Sequence, residues 1–595
     1  MLQLTIDGQR VNVSPNCSFE IVKSNPFLTK IGEYSYDIDI DLRDPQNAKI
    51  YGHIERLHSI DRPKGRIATL MDGPRVICRG TEVILEIDGT NAKIQILAGN
   101  SDFNYFIGGD GKIRDLDFGT MPSATRELAN KMLTSFYPDA NFGFPEMNAG
   151  GYLCNKPDVN KNYVSYSEHG SFKLKPQPYV LYYVEKLVEL LGYELSSNYL
   201  VDDPRWQRLI IIDNIWSLRY ADHLPDWTIS EFVNEVEKFF NCVFLYDSVA
   251  NAVKIVSLNS LYSNSKNMEV FSSSDIIGPI RKAISQDDGL AVDSSNIRYN
   301  LPDGEYYSYA DLPEEVEKVC SIKSVDIKNI KEFRYTFDQY AKVIYRDTNT
   351  GVQFAFKKES MKVNNDIPTY AEYLQVNQFK GVVRDKTKDT LELNIVPCQA
   401  LGTAWTEGDG NGNNNQFCHI RAKASNYTDP VEKSQTLNAL FLNGVEKPNV
   451  NKRMEVCFYL GTTLSRLCQD RVIANSPSYY CYSQPILLVE NYFESLISGV
   501  ERVISYTPSE CGGASHMTLS LDGEYGRANT DFSSQAFNSV EECTINLRTY
   551  RMLDPMSLFN IDNRLFFCKE LRYKVEKGAL TNVVEGKFYP ALFDE

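Results

Sequence analysis

Residues 37–42 read Asp-Ile-Asp-Ile-Asp-Leu. In an extended chain successive side chains point to opposite faces, so Ile38, Ile40 and Leu42 share one face and Asp37, Asp39 and Asp41 the other. A helix would scatter the same residues around its circumference. The stretch therefore predicts a strand with one apolar, buried face and one acidic, solvated face. The same period of two recurs on both sides of it. Leu2, Leu4 and Ile6 alternate with polar residues, as do Val83, Leu85 and Ile87. Ile94, Ile96 and Ala98 follow the Asp88-Gly89 turn, and Gly108-Gly109-Asp110-Gly111 reads as a further turn. Residues 1–119 thus predict one antiparallel barrel or sandwich.

Residues 120–177 lose the alternation. Asn, Gly, Pro and Tyr cluster there, which predicts an irregular insertion. Residues 178–330 read as a helix-bearing insertion. Pro178 suits a first helical turn, Tyr179, Tyr183, Leu187, Leu190 and Leu191 recur at helical spacing, and Gly192 stands where a C-terminal cap belongs. Thr228-Ile229-Ser230-Glu231 is a capping box. It opens a second helix whose apolar stripe is Ile229, Phe232, Val233, Val236, Phe239 and Phe240. Val243–Tyr246 and Val253–Val256 predict a hairpin. Strand signals return over 331–400, as in Lys342–Tyr345 and Val352–Phe356, and are expected to open a second β domain. Residues 401–499 read as a loop-rich insertion, with Glu407–Gln416 as an exposed loop, strand signals again from 417 as at Val456–Leu460, and short helices within Asp470–Tyr492. Residues 500–595 complete the second β domain, with strands at Thr544–Leu547, Leu565–Cys568 and Leu571–Val575. The expected class is β-rich α+β.

Composition narrows the functions open to such a chain. Its 595 residues suffice for about three to five domains. With 43% hydrophobic and 24% charged residues it is ordinary globular material. A net charge of −16 opposes general nucleic-acid binding and docking on anionic membrane. Thirteen cysteines without a CxxC pair, beside only six histidines, predict buried thiols and neither a zinc framework nor a disulfide scaffold. No basic region precedes an apolar core at the N-terminus, so no secretory signal is expected. The most apolar stretches, around Leu209–Ile212 and Val180–Leu191, are too short or too charged for a membrane span.

Each stretch that could carry chemistry has a plainer reading. Asp37, Asp39 and Asp41 resemble the start of a calcium loop, but isoleucines fill the intervening positions and no glycine bends the chain. Asp409-Gly410-Asn411-Gly412-Asn413 has the bend, yet Ile420 stands where the bidentate Glu would be needed. Gly108–Gly111 lacks the Lys-Ser/Thr of a phosphate loop. Cys511 and His516 place a thiol near an imidazole, with nothing to orient the pair. The carboxylates are numerous, but a glycosidase pair is defined by spatial separation. No catalytic, cofactor-binding or metal-ligating residue is therefore assigned, and no cofactor is expected.

Four stretches together carry a family resemblance. They are Ser24-Asn25-Pro26-Phe27 with Gly32–Ile38, Asn47 and Arg56-Leu57; Pro176-Gln177-Pro178-Tyr179 with Leu191-Gly192-Tyr193; His223–Thr228 with Phe232 and Phe239-Phe240; and Leu521–Glu524 through Leu553-Asp554 to Ile561–Phe566 and Tyr573. In texture and order they resemble the baseplate-hub and tail-tip structural proteins of tailed phages and prophages, particularly those of gut Bacteroidetes. The resemblance touches most of the chain and rests on no invariant motif. It implies two tube-like antiparallel β-barrel domains with helical and loop insertions, closing as a homotrimer. It implies a virion tail protein that joins the tail tube to the spike or tip around an axial channel. Its partners would be itself, the tube protein and the spike or tip protein, with the tape-measure protein a further candidate. DNA would be only a passing cargo, and no membrane insertion is implied. An acidic channel wall would repel that DNA. The alternatives are a host-surface or glycan-binding tail adhesin and, more distantly, a cell-wall or glycan-degrading tail enzyme. The chain exceeds the smaller hubs by roughly 200 residues, the scale of one or two further domains.

Overall fold

A computed structural model describes most of residues 2–300 and of 537–592. Between them it describes residue 519, residues 391–408, 414–423 and 453–466, and the strands Ser321–Val325, Val343–Asp347, Gln353–Lys357, Tyr370–Val376 and Cys481–Leu488. The alternating stretches at the N-terminus are strands, and they belong to one sheet of fourteen. Those strands, labelled in chain order, are β1 Leu2–Ile6, β2 Gln9–Val11, β3 Phe19–Ser24, β4 Glu33–Ser35, β5 Ile38–Asp41, β6 Ile67–Asp72, β7 Arg75–Ile87, β8 Asn91–Ala98, β9 Met268–Phe271, β10 Arg281–Ile284, β11 Glu541–Arg548, β12 Leu558–Ile561, β13 Arg564–Glu576 and β14 Ala579–Pro590. The order is β2-β1-β6-β7-β8-β4-β3-β13-β14-β11-β10, with β5 beside β8, β12 beside β13 and β9 beside β12.

The sheet corrects the expectation of two closed barrels. Its path is open, and it crosses from the first hundred residues to the last sixty through antiparallel pairing of β3 with β13, Ile21 opposite Tyr573. The thirteen-residue β13 is long enough to take β12 and then β3 along one edge while β14 follows the other. Inward side chains of both halves share one core, from Leu4, Ile21, Ile40 and Ile94 to Ile545, Phe559, Leu571 and Phe588. Among the described residues no strand of 331–400 pairs with one of 541–590. Ile395–Pro397 instead joins Met454–Arg466 and Leu209–Ile211.

Two local devices shape the sheet. In β7, Gly80 lies so close to β8 that an added Cβ would fall 1.8 Å from the Leu97 carbonyl oxygen, so only glycine fits. At the far end, helix α1 (Pro45–Ile50), capped by the Asp44 carboxylate, lies across the edge of β2. The fully buried Asn47 accepts from Asn12 N–H at 2.9 Å and donates to the carbonyls of Asn12 and Asp41, each at 2.9 Å. One side chain thus stitches the β2 edge to the end of β5, where no strand pair does among the described residues.

The predicted helices form in the middle of the chain. After α2 (Asn100–Ile107) and α3 (Arg126–Lys131) come α4 (Val180–Leu190) and α5 (Ile229–Phe240). Thr228 and Glu231 make the expected capping box, and Gly192 adopts φ +84° just past α4. Pro178 sits before the helix, in an extended pair with Phe142–Gly143, and Tyr179 takes the cap position. Proline disfavours helix in the residue ahead of it, so Gln177 stays extended. The expected hairpin is Cys242–Asp247 with Ala252–Ser257. Both helices contribute to one core with Phe103, Leu209–Ile212, Ile395 and Val456–Tyr459.

Three further expectations change. Helix α2 stands within residues 1–119, which were expected to form one antiparallel barrel or sandwich, and Gly108 ends it, so the Gly108–Gly111 cluster follows a helix rather than turning a hairpin. Phe103 and Ile107, four apart, bury the same face. Within 401–499 the expected strand at Val456–Leu460 lies in Met454–Arg466, and the described parts of the Glu407–Gln416 stretch belong to paired strands, with Glu407 opposite Asn415. Cys481–Leu488 is a strand, within the stretch expected to hold short helices. Of the eight cysteines whose side chains are described, none is in a disulfide and seven are buried.

Candidate functional site

The acidic triplet lies on β5 as the alternation requires. Ile38 and Ile40 are buried and Asp37 and Asp39 face outward. Asp37 accepts from Gln95 at 3.0 Å, while Asp41 accepts from Arg43 N–H and guanidinium, which hold its carboxyl below the usual range. The three carboxylates do not converge. Among the described residues no group of three or more His, Cys, Asp or Glu could hold a metal ion. Residues 409–413 and the Cys511–His516 stretch lie outside the described residues.

The structure does bring together a set that sequence reasoning missed. Lys175, Asp213 and His223 meet inside the middle core. Lys175 Nζ donates to Asp213 Oδ1 at 2.9 Å with both side chains at most 4% exposed. The His223 ring is fully buried, with Nδ1 2.7 Å from Asp213 Oδ2 and Nε2 2.9 Å from the Ser217 carbonyl. Burial alone would raise the Asp213 pKa, but the charges of His223 and Lys175 and the Ile215 N–H outweigh it and hold the carboxyl well below its ordinary value. Each element is positioned locally. The buried Asn155 accepts from Lys175 N–H and donates to the Lys175 and Pro145 carbonyls, fixing the lysine backbone. Gln177 accepts from Asp213 N–H at 3.1 Å. Trp216, half exposed, lies over the lysine with its ring centre 5.8 Å from Nζ.

A His–Asp pair is two thirds of a nucleophile triad, so its chemistry needs testing against the geometry. A general base must offer a ring nitrogen to the reacting proton. Here both nitrogens already face acceptors inside the fold, and both are satisfied only when each carries a hydrogen. No edge of the ring reaches the surface. The set ties three chain segments together and has no reach to a substrate. Its sequence signal was weak: Lys175 and Asp213 are 38 residues apart, and His223 stood out only within the His223–Thr228 texture.

A second buried carboxylate lies where the sheet meets the middle core. Asp102, in the first turn of α2, is 3% exposed, and its Oδ1 has no partner. Burial raises its pKa to about 6, partly offset by the Thr81 hydroxyl. Beside it, Asn100 donates to the Phe244 carbonyl at 2.6 Å and accepts from Tyr246 N–H at 3.1 Å, and Phe103 stacks on Phe244. Helix α2 is therefore the joint between the two regions.

No helix among the described residues is long and apolar enough to cross a membrane. No family model matches the chain, and no curated protein does. Similar solved structures include the 43 kDa tail protein of prophage MuSo2 from Shewanella oneidensis, at 7% identity and a TM-score of 0.31, over 99% of this chain and 96% of that one. A tail protein from Neisseria meningitidis MC58 is similar at 7% identity and a TM-score of 0.28, over 99% of this chain and 95% of that one. These structural neighbours are tail proteins, and overlap at this level assigns no family.

Proposed function

We propose that this chain is a structural component of a phage-type tail, a hub or tip protein that forms a ring between tube and spike and performs no turnover. The observation that supports it best is the fourteen-stranded sheet. It sets β regions from the two ends of the chain side by side along β3 and β13 and, among the described residues, leaves an unpaired strand edge at its far end. A chain so built can continue its sheet from copy to copy, which is how a ring disposes of edges that would otherwise aggregate. The sequence resemblance points the same way, and its homotrimer with an axial channel is the form we adopt. The net charge of −16 suits a wall that must let DNA pass.

Cryo-electron microscopy of particles from cells that produce the chain tests the proposal. Density on the tail axis with three-fold symmetry is the expected result. Density on peripheral fibres would favour a host-surface adhesin, and absence from the particle would end the tail reading. Incubation of the pure protein with glycans and cell-wall fragments should give no cleavage products. Turnover on any of them would replace the structural role by an enzymatic one.

A further inference from the structure

We propose that Cys398 and Cys457 form a dithiol site that closes to a disulfide when the chain meets a small-molecule disulfide, tying an edge strand of the middle core to its central strand. The site stands whether or not the chain belongs to a tail.

Its geometry comes from strand register. Ile395–Pro397 runs parallel to the start of Met454–Arg466, with Ile395 opposite Met454 and Pro397 opposite Val456. One step further along the same register, Cys398 stands opposite Cys457. The backbone keeps that step, since Cys398 N–H donates to the Val456 carbonyl at 2.9 Å. Opposite residues of paired strands share a face, and there the two thiols hydrogen-bond. Paired strands lie about 4.8 Å apart, within the span of about 4.4–6.8 Å between Cα atoms that a disulfide needs. Closure therefore asks for side-chain rotation and no shift of a strand. Among the described residues no other two cysteines stand opposite each other. Cys543 and Cys568 both face Phe588, one on each side of it, so a whole strand separates them.

The closed fold protects the pair. Both residues are 0% exposed. Burial, then the neighbouring Cys457 and Glu455, push the Cys398 thiol well above its ordinary pKa. A protonated thiol is a poor nucleophile, so exchange waits for an opening. The sheet provides one on a single side. Cys457 lies on the central strand, with Ile210 opposite it on the far side from Cys398. Ile395–Pro397 is a three-residue strand at the end of that sheet's path, and Pro397 has no N–H to give a further neighbour. Short edges open more readily than central strands, so Cys398 is the first of the two to meet solvent.

The exchange then balances. The Cys398 sulfur gives its proton to solvent and attacks one sulfur of the small disulfide. That S–S bond breaks, and one half leaves as a thiol after taking a proton. The Cys457 sulfur, deprotonated in turn, attacks the Cys398 sulfur of the mixed disulfide and expels the second half. Two protein S–H bonds become one S–S bond, and one small disulfide is reduced to two thiols.

The test uses the full chain, incubated folded with hydroxyethyl disulfide, then unfolded and alkylated without reductant. Two fewer of the thirteen cysteines should alkylate than in the untreated chain. A proteolytic map of the wild type should show residues 398 and 457 in one crosslinked peptide that dithiothreitol separates. Trp206, whose ring centre lies 6.0 Å from that of Phe458, should report a melting transition raised by about 5 °C or more. Cys398→Ala and Cys457→Ala should each abolish the crosslink and the rise, and Cys543→Ala should leave both. Because the bond is mapped in the wild type, a variant that folds poorly does not hide the result. A wild type that keeps all its thiols, or whose lost thiols map to other cysteines, overturns the site. So does a crosslink that forms only after the chain is unfolded in urea. A mapped crosslink without the rise overturns its part in tying the core.

Discussion

The sheet made from the two chain ends and the core around α4 and α5 bury their polar groups in opposite ways. The sheet keeps its interior apolar and places polar work at its margins. Asn47 closes a gap between edges, and the Arg66–Glu82 pair, 2.6 Å apart, lies under α1 beside Tyr51. The middle core instead encloses Lys175, Asp213 and His223 outright. The lesson concerns specificity. A strand edge can pair with any strand, so the sheet needs polar devices that say where pairing stops. A core of short strands and helices has many ways to collapse, and a buried charge set that is satisfied in one arrangement rejects the others. The two regions should therefore respond differently to the same kinds of substitution.

The largest effect should come from the middle. Asp213→Ala leaves the buried Lys175 ammonium without its counter-charge and His223 Nδ1 without its partner, and should cost about 3–5 kcal/mol in denaturant unfolding. The loss should be smaller for Lys175→Met, which removes a charge along with its desolvation. Acid should act at the same place. The Asp213 carboxyl is depressed in the folded chain, so its contribution is present above the unfolded value of about 3.9 and is lost as pH falls below it. Tryptophan fluorescence, through Trp216 above Lys175, should report loss of the middle core below about pH 4. Retention of that signal after Asp213→Ala would show that the charges are not coupled.

Next in size is Phe240→Ala, again in the middle. Phe240 is 4% exposed and meets Trp206 edge-on at 5.0 Å between ring centres and Phe239 at 4.9 Å. Truncation should cost about 3–5 kcal/mol through lost burial and the cavity left behind. An unchanged thermal melt would mean that α5 does not pack as described.

These two substitutions also mark what could be read from the chain beforehand. Phe240 was legible because helical periodicity and a capping box both point at α5. The strands of β1, β5 and β8 were legible because alternation is local. Asp213 was not, because its partners come from segments that meet only when the core forms. The join of β3 to β13 was invisible for the same reason: alternation gives a strand its two faces and says nothing of which neighbour takes its edge. Helix α2 was absorbed into the β reading of residues 1–119 because Phe103 and Ile107 give too short a helical pattern to stand out. Asn47 appeared within the family resemblance, but its part in joining edges is a matter of three peptide groups that no pattern announces.

Asn47→Leu tests the margin of the sheet. The substitution keeps the branched shape and removes three hydrogen bonds, leaving the Asn12 N–H and the Asn12 and Asp41 carbonyls without their partner. Unpaired, half-buried peptide groups should cost about 2–3 kcal/mol. Hydrogen exchange should show faster opening in β1, β2 and β5 and no change in α4 or α5. Equal acceleration in both regions would mean that they unfold as one unit and would blunt the contrast drawn above.

The smallest effect should be a gain, at the joint. Asp102 is buried against Thr81 in the first turn of α2, with one oxygen unpaired, and burial raises its pKa to about 6. The folded chain therefore holds this proton more tightly than the unfolded chain does. Whatever stability follows from that is fully present below the unfolded value of about 3.9 and is lost as pH rises through about 6. At pH 8 the buried carboxylate is charged with only the Thr81 hydroxyl to support it, and a shift of about two units corresponds to at most about 3 kcal/mol, less after solvent screening. Asp102→Asn removes the charge, keeps the shape and keeps an acceptor for Thr81. Part of that penalty should return, about 1–2 kcal/mol at pH 8 and none at pH 4. Melting curves of the variant and wild type should coincide in acid and separate above pH 6, with the variant the more stable. Because α2 links the sheet to the middle core through Asn100 and Phe103, the gain should appear in hydrogen exchange of both β8 and Cys242–Asp247. A gain confined to one of them would place Asp102 in that region alone and move the joint elsewhere.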